Sequence, residues 1–266
     1  MKHNILICFL VLIFVASISV GGLSAHPEFE SNTYKEAIYP DFIEKDKAVT
    51  LEIFTATWCG WCHKAYELFD HLEAKFGKLS LSNVRYHCQD KISIETIQDR
   101  TNFYGVSGFP TIVSNGTHKQ TGVNDEIYAE FEKLVRDELN SPSELAIHTN
   151  VCVDNDKINL DVFLHALKKQ IEGEFLCLTM VSGLQEQNSS YDYVAETVFP
   201  SFDGLHLVLN PGEIYHLAFT MPIDQSMEPE HYSTLCLFQN MKTKEIYNSQ
   251  YTSLYSLIPI SYDIDS

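Results

Sequence analysis

Phe54-Thr55-Ala56-Thr57-Trp58-Cys59-Gly60-Trp61-Cys62-His63-Lys64 joins an apolar run to an amphipathic one. Upstream, Val49-Thr50-Leu51-Glu52-Ile53-Phe54 reads as a buried strand. Downstream, Ala65, Leu68, Phe69, Leu72 and Phe76 recur at helical spacing, which predicts a helix from Cys62 to Phe76. The strand thus delivers Cys59 to the start of a helix, and Cys62 follows one turn later. Side chains at i and i+3 share a helix face, so the two sulfurs can close a small disulfide ring. Free N–H groups and the helix dipole favour an anion at that start, which raises the thiolate fraction of Cys59. Attack falls to Cys59, and Cys62, tucked into the helix, resolves the mixed disulfide.

Two other readings fit the same residues. Cys59-Gly60-Trp61-Cys62-His63 has the pattern of c-type haem attachment, which also needs a haem pocket that a strand–helix turn does not supply. Two cysteines are half of a tetrahedral zinc site, but the chain has no second Cys-x-x-Cys. The deciding context is Val106-Ser107-Gly108-Phe109-Pro110-Thr111, ahead of a short apolar strand. Together with Trp58-Cys59-Gly60-Trp61-Cys62-His63-Lys64 it resembles the thioredoxin family over about Tyr34 to Leu139. The resemblance implies a cis Phe109–Pro110 bond facing the disulfide. There the Phe109 backbone would be aimed at an extended substrate segment that pairs as an added strand. Trp58, Gly60, Trp61, Phe109 and Pro110 are then the expected substrate-binding residues, beside catalytic Cys59 and Cys62. No metal and no organic cofactor is expected.

Departures from the family count as well. A carboxylate commonly lies six residues before the first cysteine; here that position is Ile53. Glu52 is one place off, and strand parity points it to the other face. The dipeptide Gly60-Trp61 leaves the redox direction open. Trp58 and Trp61 supply an apolar rim for substrate, although packing explains Trp58 equally well.

The rest of the chain alternates strands with helices up to Leu139. The predicted elements are a strand over 83–87, a helix over 93–103, a strand at 111–113, an Asn115-Gly116 hairpin and a helix over 125–139. Asn140-Ser141-Pro142-Ser143 reads as a linker. Beyond it, Ile158, Leu160, Val162, Leu164 and Ala166 alternate with Asn159, Asp161, Phe163 and His165, a period of two. Similar runs cover 145–153, 175–181, 214–221 and 235–238, which predicts an antiparallel β-sandwich. The expected fold class is therefore an α/β thioredoxin-like domain at 26–140 followed by an all-β antiparallel sandwich at 141–266. Leu235-Cys236-Leu237-Phe238-Gln239-Asn240 with Lys242-Thr243-Lys244-Glu245-Ile246-Tyr247 is similar to the terminal hairpin of bacterial outer-membrane-associated thioredoxin-like proteins.

Lys2 and His3, the apolar stretch 5–20 and the small residues Gly21, Gly22, Ser24 and Ala25 have the layout of a secretory signal at 1–25. An uncleaved anchor of the same length is the alternative. The 266 residues carry a net charge of −18, which disfavours a nucleic-acid partner because phosphates need a basic stripe. Cys88, Cys152, Cys177 and Cys236 lie in or beside apolar runs; buried free thiols are expected, with a disulfide in the β-domain as the alternative. The sequence thus points to an exported thiol–disulfide oxidoreductase, periplasmic, outer-membrane-associated or secreted, with a peripheral envelope association left open. Its expected partners are protein thiols or disulfides and an unidentified redox partner. The competing reading is a non-enzymatic envelope scaffold that keeps the fold as architecture.

Overall fold

The structure is a computed structural model that describes residues 29–35, 47–154, 157–186, 188–223 and 227–254. The expected targeting segment at 1–25 lies outside them. Strand β1 (Phe29–Lys35) is followed by β2 (Val49–Thr55), which is buried along its whole length, as its nearly continuous apolar run requires. Beside β2 lie β3 (Leu81–His87), parallel, and β4 (Thr111–Ser114), antiparallel. A hairpin then leads to β5 (His118–Thr121). Its turn places Asn115 at φ 49° and Gly116 at φ 77°, and a Cβ on Gly116 would lie 1.7 Å from the Lys244 carbonyl oxygen. Glycine is needed there twice over, for the turn and for the close approach.

Helices α1 (His63–Phe76) and α3 (Asp125–Leu139) cover one face of this sheet. Leu68, Phe69, Leu72, Phe131 and Val135 pack on Leu51 and Ile53. The Asn124 side chain caps α3 by accepting the Ile127 N–H. Helix α2 (Ile97–Tyr104) starts later than the expected Ser93, because Asp90 accepts from the Ile92 N–H and the Ser93 hydroxyl and holds residues 90–93 in a turn.

The strand-rich half contributes β6 (Leu145–Asp154), β7 (Lys157–Ala166), β8 (Ile171–Val181), β9 (Leu184–Glu186), β10 (Ser189–Tyr191), β11 (Val194–Phe199), β12 (Leu205–Leu209), β13 (Glu213–Pro222), β14 (Tyr232–Gln239) and β15 (Ile246–Ser253). One antiparallel sheet runs β1-β13-β7-β6. Its Leu160, Val162, Leu164, Leu217 and Phe219 face Phe175, Cys177, Cys236 and Phe238 of β8 and β14. The expected α/β unit followed by antiparallel strands is thus present.

The two halves on either side of the linker-like run are joined through one sheet. A single sheet runs β15-β14-β8-β11-β3-β2-β4-β5, so β11 from the second half adds itself, parallel, to β3. The Arg85 N–H donates to the Tyr193 carbonyl at 2.7 Å. The buried Arg85 guanidinium lies over the rings of Tyr66 and Tyr193, 4.0 and 5.5 Å from their centroids. Strand β1, placed by the expected 26–140 boundary with the first unit, pairs instead with β13. Residues of the presumed linker are tied down too. Lys47 Nζ donates to Ser141, and Asn248 Nδ2 donates to Ser143 Oγ and the Leu145 carbonyl.

The physical reason is apolar surface. Phe54, Val84, Tyr86 and Tyr104 cover the sheet face that α1 and α3 leave bare, and Leu176, Leu178, Met180, Leu235, Leu237 and Ile246 bury it. The full chain should therefore unfold in one cooperative transition. A fragment ending at Asn140 should lose cooperative melting in circular dichroism, and a sharp melt of that fragment would show that the first half folds without the second.

Candidate active site

Strand β2 ends at Thr55, and a turn carries the chain to the cysteines. The Cys59 N–H donates to the Ala56 carbonyl at 3.0 Å and the Cys62 N–H to the Cys59 carbonyl at 3.2 Å. Regular helix begins at His63 with Cys62 as its N-cap, one residue later than the periodicity predicts. Cys59 therefore sits in the turn leading into α1, and Cys62 at its rim. The two are joined as a disulfide. Cys59 is half-buried, while Cys62 is 2% exposed, so one sulfur faces solvent and the other the core.

The second motif lies beside the first. The Phe109–Pro110 bond is cis, and the Phe109 ring meets Trp58 edge-on at 5.8 Å between centroids. Trp58 and Trp61 are 59% and 75% exposed, which leaves two large apolar faces in water next to Cys59. Trp58 also has the structural role weighed against rim formation: its Nε1 donates to the Gln89 carbonyl at 3.1 Å. A Cβ on Gly60 would touch nothing within 4 Å, so no packing demands glycine between the cysteines.

Sequence reasoning missed the support beneath this loop. The Asp90 carboxylate accepts from the Thr57 N–H and from His87 Nδ1, both at 2.8 Å, and so fixes the chain two residues before Cys59. Burial alone would push the Asp90 carboxyl up; the bonds from His87 and Thr57 outweigh it and hold it below the ordinary carboxylate range. The available signal was Asp90-Lys91-Ile92-Ser93, an acidic side chain placed to close its own turn.

Strand parity holds for Glu52. Ile53 packs under α1, whereas Glu52 points to the opposite face and is wholly buried. There it accepts from Arg100 Nε at 2.8 Å, from Tyr86 at 3.1 Å and from Tyr104. Arg100 Nη2 lies 2.6 Å from the same carboxylate, and Nη1 donates to Gln239 at 2.8 Å. Glu52 is thus occupied by a counter-charge away from the cysteines.

Cys88 is a buried thiol donating to the Tyr86 carbonyl, and burial pushes it up to about 12. Cys152 is half-buried on β6. Among the described residues, no group of three or more His, Cys, Asp or Glu is placed to hold a metal ion.

A thioredoxin-like fold with a disulfide-bonded cysteine pair, one member half-buried and the other buried, is the class these features define. The thioredoxin family model matches residues 30–137. No curated protein matches the chain. Among solved structures, HBP35 of Porphyromonas gingivalis superposes with a TM-score of 0.67 at 16% identity, covering 82% of this chain and 78% of its own. A structural-genomics target from Agrobacterium tumefaciens gives 0.55 at 14% identity, covering 79% of this chain and 96% of its own. A domain of the outer membrane lipoprotein Omp28 from P. gingivalis covers 42% of this chain and 95% of its own, with a TM-score of 0.33 at 16% identity. At these identities the first two likenesses establish the fold.

Glu52→Gln should cost about 3–5 kcal/mol in chemical denaturation, because it strands the Arg100 charge. The folded fraction should keep its thiol-exchange rate, and a fall in that rate would put Glu52 into proton transfer. Asp90→Asn should cost about 1–3 kcal/mol through the bonds it weakens. Because the folded carboxyl titrates below the unfolded one, its contribution is complete above the ordinary carboxylate value of about 4. It fades as pH falls through the depressed folded value. A stability–pH curve of the Asp90→Asn protein should lack that acid limb.

Proposed function

We propose that the protein is an exported thiol–disulfide oxidoreductase acting on protein thiols and disulfides. The observation that carries this is the asymmetry within the pair: Cys59 is reachable, and Cys62 is buried directly behind it. A substrate thiolate attacks Cys59 Sγ, the Cys59–Cys62 bond breaks, and Cys62 leaves as a thiolate that takes up a proton. A second substrate thiolate then attacks the substrate sulfur of the mixed disulfide and releases Cys59. The substrate loses two electrons and the enzyme gains them; the reverse sequence reduces a substrate disulfide, with Cys62 expelling the product. Trp58, Trp61, Phe109 and Pro110 would form the docking surface, with Gly60 leaving room between the two tryptophans. An extended segment is the substrate form that a strand-entrance proline fits.

The competing reading is a scaffold of the cell envelope. It gains weight from Ile53, which leaves no carboxylate beneath the pair on β2. The signal-like residues 1–25 support export, to the periplasm or beyond, and the resemblance of the 235–247 hairpin supports an outer-membrane association.

Two measurements decide between them. A short iodoacetamide pulse on the reduced protein near neutral pH should label Cys59 well before Cys62. Insulin reduction with dithiothreitol should fall to the uncatalysed rate in Cys59→Ser. Equal labelling would remove the assignment of nucleophile and resolver, and wild-type protein inert toward insulin would favour the scaffold.

A further inference from the structure

Cys177 on β8 and Cys236 on β14 stand directly opposite each other across an antiparallel ladder. Both side chains are fully buried, and their Sγ atoms are 3.1 Å apart. Opposed residues of antiparallel strands have Cα atoms about 4.5–5.5 Å apart, inside the range of about 4.4–6.8 Å that disulfides span. Bringing the sulfurs to a bond of about 2.05 Å needs a further approach of about 1 Å, which side-chain torsions supply without moving either strand. The two remaining cysteines lie elsewhere: Cys88 donates to the Tyr86 carbonyl, and Cys152 is on β6 in the opposite sheet.

We propose that Cys177 and Cys236 form a second disulfide, structural rather than catalytic. The two thiols lose two electrons and two protons, and one sulfur–sulfur bond forms. The oxidant is a disulfide, of small-molecule or protein class, whose own bond breaks as it takes up those electrons and protons and leaves as two thiols. Neither sulfur is reachable once the sheet has closed, so exchange takes place before β14 docks on β8. Closure then shields the new bond from thiol reductants, whereas Cys59 remains open to them.

The position gives the bond its consequence. Strand β8 pairs with β14 on one side and with β11 and β12 on the other. Strand β14 carries Gln239, which holds Arg100 of the first unit. A covalent tie between β8 and β14 therefore fixes the strand pair on which the junction of the two halves rests. It also closes a loop of about 60 residues, which restricts the unfolded chain strongly.

The test uses the full chain refolded with oxidised glutathione, alkylated in denaturant and digested without reduction. Mass spectrometry should find one peptide pair linking Cys177 to Cys236, two hydrogens lighter than the separate peptides. Mild dithiothreitol on the native protein should open Cys59–Cys62 and leave that link intact. Reducing it in denaturant before refolding should lower the melting temperature by roughly 5–10 °C. Full alkylation of Cys177 and Cys236 in a sample whose Cys59–Cys62 bond is oxidised would overturn the proposal. So would a link from either residue to Cys88 or Cys152. The mapping is done on the unaltered chain, so it does not depend on a cysteine variant folding.

Discussion

A guanidinium group that is 1% exposed must find its counter-charge and its hydrogen-bond acceptors inside the protein, and Arg100 finds them in two different parts of the chain. Glu52 of β2 supplies the charge, and Gln239 of β14 takes Nη1. Gln239 in turn donates to Tyr104 and to the Lys244 carbonyl, the same oxygen that leaves no room for a Cβ on Gly116. One buried ion thus sets how the β14–β15 hairpin seats on the first sheet, and the glycine turn between β4 and β5 is shaped to receive it. Replacing a buried pair of this kind with apolar residues is often neutral for stability, so we read its contribution as one of register. Apolar burial by Leu176, Leu178, Leu235 and Leu237 supplies the attraction, and the ion fixes the alignment.

The same strand decides the character of the cysteine site. Alternation along β2 sends Leu51 and Ile53 toward α1 and α3, and Thr50, Glu52 and Phe54 toward the strand-rich half. The floor beneath Cys59 and Cys62 is therefore apolar. The strand's one carboxylate, Glu52, is committed to Arg100 on the other side and does not reach that floor.

Much of this was legible in the sequence, and the gaps have definite causes. Helix α3 and the alternation of β7 follow from local periodicity and match the expected limits. The cysteine motif and the Gly108-Phe109-Pro110 stretch identified the strand–turn–helix and its neighbouring loop. What could not be read was pairing between distant segments. Strand β11 carries no mark saying that it joins β3, and β1 carries none for β13, because ladder bonds are made by backbone that every residue shares. Asn140-Ser141-Pro142-Ser143 has a linker's composition, yet Asn248, more than a hundred residues away, ties it down. Polar composition shows that a segment tolerates water; it does not show that water is its partner.

The second half also reaches the loop that carries the cysteines. The Tyr191 ring at the end of β10 packs edge-on against His87 with centroids 5.0 Å apart. His87 donates to Asp90, and Asp90 accepts the Thr57 N–H. On the outside, Lys91 pairs with Glu186 of β9 at 3.5 Å; that contact is exposed and contributes little on its own. The inner chain differs, because His87 and Asp90 are shielded from water and their bonds keep most of their strength. A run of contacts from Tyr191 to Thr57 therefore places a hairpin of the strand-rich half behind the residues that present Cys59. Displacing that hairpin would expose His87 and loosen the Asp90 turn, and the loop carrying the cysteines would lose the backing that holds Trp58 against Phe109. On this geometry the strands beyond residue 140 belong to the site's supporting frame.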